Sequence, residues 1–246
     1  MINFAVSIHI YFLMIPKNYK HIFFDLDRTL WDFEKNANET FTDILEKYYL
    51  KDRGISDFYD FMNVYHKINL GLWDKYRKGQ ISKEELNVKR FSLTLDSFGI
   101  DDNDLSKSIA SDYINISPTK KHLYPGTHQL LEYLKDKYTL HIITNGFEEV
   151  QYKKLKHSDL DKYFTHIITS EDAGYKKPDI NIFKYALSLA NASPMESLMI
   201  GDDIDVDIIG AHDAGMDQVL VDFESVLTDS KSTYYVNSLF ELKLIL

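Results

Sequence analysis

From Leu123 to the C-terminus, short apolar runs alternate with segments of helical period, and this alternation restricts the fold more than any other feature of the chain. Apolar spacing predicts helices over 129–135, 148–156, 181–190 and 204–214, with strands over 140–143, 166–169, 198–200 and 218–221 between them. A strand that is followed by a helix and then by another strand returns in parallel register, with helices covering both faces of the sheet. One further strand belongs to this sheet. His21-Ile22-Phe23-Phe24 is a short apolar run without alternation, as expected of a strand buried on both faces. It leads straight into Asp25-Leu26-Asp27-Arg28-Thr29-Leu30.

Side chains alternate across a strand, so Asp25 and Asp27 lie on one side and Leu26 on the other. Two acids held so close repel unless a cation neutralises them, and open α/β sheets bind ligands at the carboxyl ends of their strands. The pair therefore suggests a metal-assisted nucleophile. The plainer reading is a threonine-containing turn whose aspartates cap a helix. Three later segments occupy similar places. Thr144-Asn145-Gly146 ends the strand at Ile143, and Lys176-Lys177-Pro178 precedes the helix around Ile182, Phe183 and Ala186. Gly201-Asp202-Asp203, with Asp207, follows the strand over 198–200.

Taken in order, these four segments resemble motifs I to IV of the haloacid dehalogenase superfamily, which consists mostly of magnesium-dependent phosphohydrolases. The resemblance covers nearly everything from about Tyr19 to the C-terminus. It implies an α/β fold: a Rossmann-like parallel-sheet core over 17–32 and 118–246, with a helical-bundle cap inserted over 33–117. The cap region fits independently. Ala37, Phe41, Ile44, Leu45 and Tyr48 recur at helical spacing behind a candidate capping box of Asn36 and Glu39. Phe58, Met62, Tyr65, Asn69 and Leu72 form a second stripe, Ser82-x-x-Glu85 opens a third helix, and 104–116 makes a fourth. Related proteins usually begin near Pro16-Lys17-Asn18-Tyr19-Lys20, just after Met14. The apolar stretch from Phe4 to Ile15 lacks a basic leader and a cleavage site and is too short to span a bilayer, so residues 1–16 are expected to be a non-native or disordered extension.

Composition narrows the function. A net charge of −10 with no basic stripe argues against nucleic acid polymers as partners. The absence of cysteine removes disulfide and thiol chemistry and fits a reducing cytoplasm. The nine histidines show no ligand spacing and read as surface or satisfied core residues.

The resemblance implies the chemistry residue by residue. Asp25 is the nucleophile that forms an aspartyl-phosphate. Asp27 is the general acid for the leaving oxygen and then the base for water. Mg²⁺ is held by the Asp25 carboxylate, the Asp27 backbone carbonyl and the Asp202 carboxylate. Thr144 and Asn145 bind phosphate, and Lys177, the lysine next to proline, pairs with Asp25 and the phosphoryl group. Either Asp203 or Asp207 orients Lys177. Within the superfamily, Thr144 to Phe147, Leu72-Trp73, Arg90-Phe91 and Gly174-x-x-Lys177-Pro178 resemble the bacterial pyrimidine 5′-nucleotidases. The expected substrate is a small phosphorylated metabolite, a nucleoside 5′-monophosphate, with Phe33 at the cap hinge as a base-stacking candidate. Tyr65, Trp73 and Tyr76 read chiefly as bundle core, Trp73 doubling as a candidate specificity residue. Arg28 departs from the pattern, since many relatives carry glycine there. Competing readings are a sugar phosphate phosphatase, a β-phosphoglucomutase-like phosphomutase and a catalytically inactive binding module. A dehalogenase would not need Asp27.

Overall fold

The computed structural model describes residues 18–226 and 232–246, so the expectation for residues 1–16 lies outside the described residues. Six strands form one parallel sheet: β1 (His21–Phe24), β2 (Thr139–Thr144), β3 (His166–Thr169), β4 (Ser197–Gly201), β5 (Asp217–Val221) and β6 (Tyr234–Val236). Their spatial order is β3-β2-β1-β4-β5-β6. The chain runs outward from β1 to one edge and then from β4 to the other. The reversal falls between β1 and β4, where a crevice opens at the strand ends. The expected fold class is the one observed. β6 was not anticipated, because three residues flanked by polar ones at a sheet edge carry too little pattern.

Both faces of the sheet are buried, which is why its strands read as continuous apolar runs. Ile22 and Phe24 face a layer containing Leu130, Leu131, Leu134 and Leu155, while Phe23 faces Ile182, Phe183 and Ala186. The covering helices are α5 (Thr127–Leu134), α6 (Glu148–His157), α7 (Ser170–Ala173), α8 (Ile180–Leu189) and α9 (Ile209–Asp213). The helix expected over 204–214 is not uniform: 204–208 is π-helical before α9 begins, and the Asp203 carboxylate caps it by accepting from the Asp205 and Val206 N–H groups.

Between β1 and β2 the chain builds α1 (Phe33–Lys47), α2 (Phe58–Arg77), α3 (Lys83–Asp96) and α4 (Asn103–Ile116) around a core of their own. Phe41 is its centre, edge-on to Tyr65 at 4.4 Å and tilted against Tyr113 at 5.1 Å. The Ser82–Glu85 capping box of α3 is present. The one expected at Asn36 is not. Asp32 caps α1, and Asn36 is buried one turn in, donating to the Asp32 and His122 carbonyls and accepting from the His122 N–H. A polar residue read as a cap is instead the stitch between the two strands of chain that connect bundle and sheet. Tyr65 lies in the bundle core as expected. Tyr76 and Trp73 do not: they join Leu72, Leu86 and Phe147 in a separate cluster at the seam between bundle and sheet.

The histidines hold one surprise. His141 of β2 is fully buried, stacked on Phe23 at 4.6 Å and on His166 at 5.3 Å. Its Nε2 lies 3.2 Å from His21 Nδ1, and its Nδ1 has no partner among the described residues, so it is a core histidine but not a satisfied one. Burial, with repulsion from His21 and His166, pushes its protonation down from 6.5 to about 3. Between those values the unfolded chain binds the proton and the folded one does not. Stability should therefore be full above pH 6.5 and fall as the pH drops toward 3, by up to about 1.4 kcal/mol per pH unit. His141→Leu should flatten that part of the acid limb, measured as urea midpoints at about pH 5 and about pH 7. An unchanged slope would place the acid sensitivity elsewhere.

Candidate active site

The ends of β1, β2 and β4 are neighbours, and each delivers part of one cluster. The Asp25 N–H donates to the Ile200 carbonyl at 2.9 Å, which carries the β1–β4 ladder one residue further and fixes Asp25 at the crevice. The turn that follows closes on itself, with Leu30 and Trp31 N–H groups donating to the Leu26 carbonyl and Arg28 N–H to the Trp31 carbonyl. Arg28 sits at φ 65°, a left-handed conformation that normally favours glycine. Its side chain offsets that cost. The guanidinium donates to Glu34 at 2.8 and 3.2 Å and lies over the Phe33 ring at 4.3 Å.

Lys177 is almost completely buried, and its ammonium makes three contacts. It donates to Asp25 Oδ1 at 2.6 Å, to Asp207 Oδ1 at 2.6 Å and to the Ile143 carbonyl at 2.9 Å. Of the two acids left open as partners, Asp207 takes the role, while Asp203 caps the helical turn that carries Asp207. Gly201 makes room for it, since a Cβ there would lie 2.3 Å from Asp207 Oδ2. Asn145 grips the Lys177 backbone, donating to its carbonyl at 2.9 Å and accepting from its N–H at 2.8 Å. Thr144 Oγ1 accepts from the Gly146 N–H at 3.1 Å.

Asp27 lives in a different environment from Asp25. Its carboxylate accepts from Lys154 Nζ at 2.5 Å and from Gln151 Nε2 at 2.8 Å, both from α6. Lys154 is buried, with its ammonium 4.2 Å from the Trp31 ring centroid. Gly146 is the reason Gln151 can reach: a Cβ at Gly146 would lie 1.6 Å from Gln151 Nε2. Sequence reasoning missed Gln151 and Lys154. Their only signal is an i, i+3 polar pair on a helix face that burial demands be apolar.

Electrostatics separate the acids further. Burial, reinforced by Asp207 and outweighing Lys177, raises Asp25 to about 7. Burial and the neighbouring Asp25 and Asp207 hold Asp202 well above the usual carboxylate range. Lys177 is raised, because Asp207 and Asp25 outweigh the burial that opposes its charge. One lysine thus serves an excess of acids. Oxygens of Asp25, Asp202 and Asp207 lie within 4.8 Å of one another, a set of hard donors with charge left to neutralise, and this suits a divalent cation such as Mg²⁺. Both oxygens of Asp207 are engaged, one by Lys177 and the other by the Asp203 N–H, whereas Asp25 and Asp202 each keep an oxygen with no such contact and are the better placed to bind it.

A cavity of about 200 Å³ joins the cluster to the bundle. It brings together Asp25, Asp27, Asp202, Asp207, Lys154 and Lys177 with Thr144 and Asn145, and Phe33 and Trp73 also line it. Arg28 already covers one face of Phe33, so a base stacked on that face would have to displace it.

Residues 22–221 match the model of the haloacid dehalogenase-like hydrolase family. The chain is 30% identical over 233 residues to the HAD-hydrolase YfnB of Bacillus subtilis, covering 94% of this chain and 96% of that one. A crystal structure of YfnB bound to magnesium superposes with a TM-score of 0.84 over 93% of this chain and 99% of that one. It is 32% identical to the pyrimidine 5′-nucleotidase PynA of Streptococcus pneumoniae, covering 82% of this chain and 83% of that one. It is 30% identical to a glyceraldehyde 3-phosphate phosphatase of Methanothermobacter thermautotrophicus, covering 83% and 86%.

Gly146→Ala should push Gln151 off Asp27, and Lys154→Met should remove the ion pair. Positioned acid–base groups contribute roughly 10²–10⁴ to rate, so each variant should lower kcat at least about tenfold while KM moves little. A rise in KM at constant kcat would instead assign the α6 pair to substrate binding.

Proposed function

Because the chain belongs to the haloacid dehalogenase-like hydrolase family, we propose that it is a phosphomonoester hydrolase working through an aspartyl-phosphate on Asp25, with nucleoside 5′-monophosphates as substrates. The observation that carries this reading is the separation of two neighbouring carboxylates into two environments. Asp25 is bound to Lys177 among other acids; Asp27 is held apart by Lys154 and Gln151. Splitting a nucleophile from an acid–base group in this way is what a two-step displacement requires.

Lys177 occupies one oxygen of Asp25 and leaves Oδ2 for attack. That oxygen forms a bond to phosphorus as the bond to the leaving alkoxide breaks, and Asp27 gives its proton to the departing oxygen. Asp27 then takes a proton from water, which attacks phosphorus and releases phosphate, restoring Asp25. Lys177 and Thr144 line the space where the phosphoryl oxygens would lie. Mg²⁺, held by Asp25, Asp202 and the Asp27 carbonyl, would neutralise the acids and draw the phosphoryl oxygens into line. The bundle supplies the leaving-group side of the cavity, where Trp73 and Phe147 add apolar surface. The substrate class rests on the likeness to a pyrimidine 5′-nucleotidase.

Asp25→Asn should abolish phosphate release while the protein stays folded, because volume is kept and a crowded acid is neutralised. Substantial residual turnover would remove Asp25 from its role. Chelation should silence the enzyme and Mg²⁺ or Mn²⁺ restore it, with Asp202→Ala raising the concentration needed; full activity in excess chelator would contradict the cation's part. Nucleoside monophosphates should outrank sugar phosphates in a phosphate-release panel, and the reverse ranking would move the assignment to a sugar phosphate phosphatase.

A further inference from the structure

Among the buried polar groups of the cavity wall that lack a partner in the described residues, two belong to the bundle helices α2 and α3. Arg90 of α3 is 4% exposed, yet among the described residues no carboxylate lies within ion-pair distance of it. Its Nη2 donates to the neutral Asn87 Oδ1 at 2.7 Å, its plane rests near the Phe91 and Tyr113 rings, and its Nε has no partner among the described residues. Asn69 of α2 is 3% exposed, and its Oδ1 has no partner among the described residues. A buried charge and a buried carbonyl left open are costly. Both line the same cavity as Asp25.

We propose that Arg90 and Asn69 form the subsite that recognises the leaving group, and that this group is an uncharged ring offering a carbonyl oxygen to Arg90 and an N–H to Asn69. The imide edge of a pyrimidine base has this chemistry. The inference rests on the nucleotidase reading and deepens it. An anion, such as a carboxylate or a second phosphate, would satisfy Arg90 but would set its lone pairs against the Asn69 carbonyl. A ring with an acceptor beside a donor satisfies both, and Trp73 and Phe147 give the same cavity flat apolar surface for its faces.

The test compares kcat/KM for uridine 5′-monophosphate, N3-methyluridine 5′-monophosphate and phenyl phosphate in the wild type, Arg90→Gln and Asn69→Ala. Each variant should lose roughly tenfold or more on the uridine nucleotide relative to phenyl phosphate, since a polar site left unpaired discriminates strongly. N3-methylation should penalise the wild type and not Asn69→Ala, an interaction a merely structural defect does not reproduce, and one that keeps the proposal testable if Arg90→Gln fails to fold. Equal losses on nucleotide and phenyl phosphate would overturn it, as would a larger loss on a sugar bisphosphate. Inhibition of phenyl phosphate hydrolysis by uridine separates the two readings. Inhibition that Arg90→Gln abolishes, in an enzyme that turns over no nucleotide, would keep the subsite and discard the nucleotidase. Nucleotide turnover untouched by Arg90→Gln would keep the nucleotidase and discard the subsite.

Discussion

The Lys177 ammonium sits almost completely buried between the Asp25 and Asp207 carboxylates at 2.6 Å from each, and much of the surrounding structure exists to hold it there. Removing it alone would leave two buried acids facing each other, a change that costs about 3–5 kcal/mol when a buried pair is broken. Three strand ends serve this one cation: β1 brings Asp25, β2 brings the Ile143 carbonyl and the Asn145 clamp, and β4 leads through Gly201 to Asp207. The parallel order that places β1 between β2 and β4 is thus a condition for the ion pairs as well as for the apolar layers.

That arrangement leaves Asp27 free for other work. Its partners come from α6, and the space they need comes from Gly146. The bundle is joined to the same turn. Arg28 binds Glu34, whose other oxygen is 3.1 Å from His66 of α2, while Lys83 of α3 reaches Glu149 and Glu171 on the opposite side. Exposed pairs of this kind contribute little to stability singly. Together with the aromatic seam they join the bundle to the strand ends, so the residues proposed for the chemistry and for recognition of the leaving group line one cavity.

The sequence made the sheet legible because strands buried on both faces leave apolar runs, and the site legible because strand ends concentrate charge. Asp25, Asp27, Thr144, Asn145, Lys177 and Asp202 converge on one cavity, as their positions in the chain suggested. What could not be read depends on distance in space. The choice between Asp203 and Asp207 turns on a π-helical first turn that carries no periodic signature. Asn36 has the composition of a cap but serves a long-range stitch to His122. Lys154 and Gln151 look like the solvated face of a helix until β1 is placed beneath them. β6 is too short to leave a pattern.

The central claim is that Asp25 becomes covalently phosphorylated, and mass spectrometry of the acid-quenched enzyme tests it most directly. With Asp27→Asn slowing hydrolysis of the intermediate more than its formation from a substrate with a good leaving group, such as phenyl phosphate, the account predicts one phosphoryl group on the peptide containing Asp25. It should be absent from Asp25→Asn and removed by hydroxylamine. Turnover with no adduct at any quench time, or an adduct on a different residue, would contradict it.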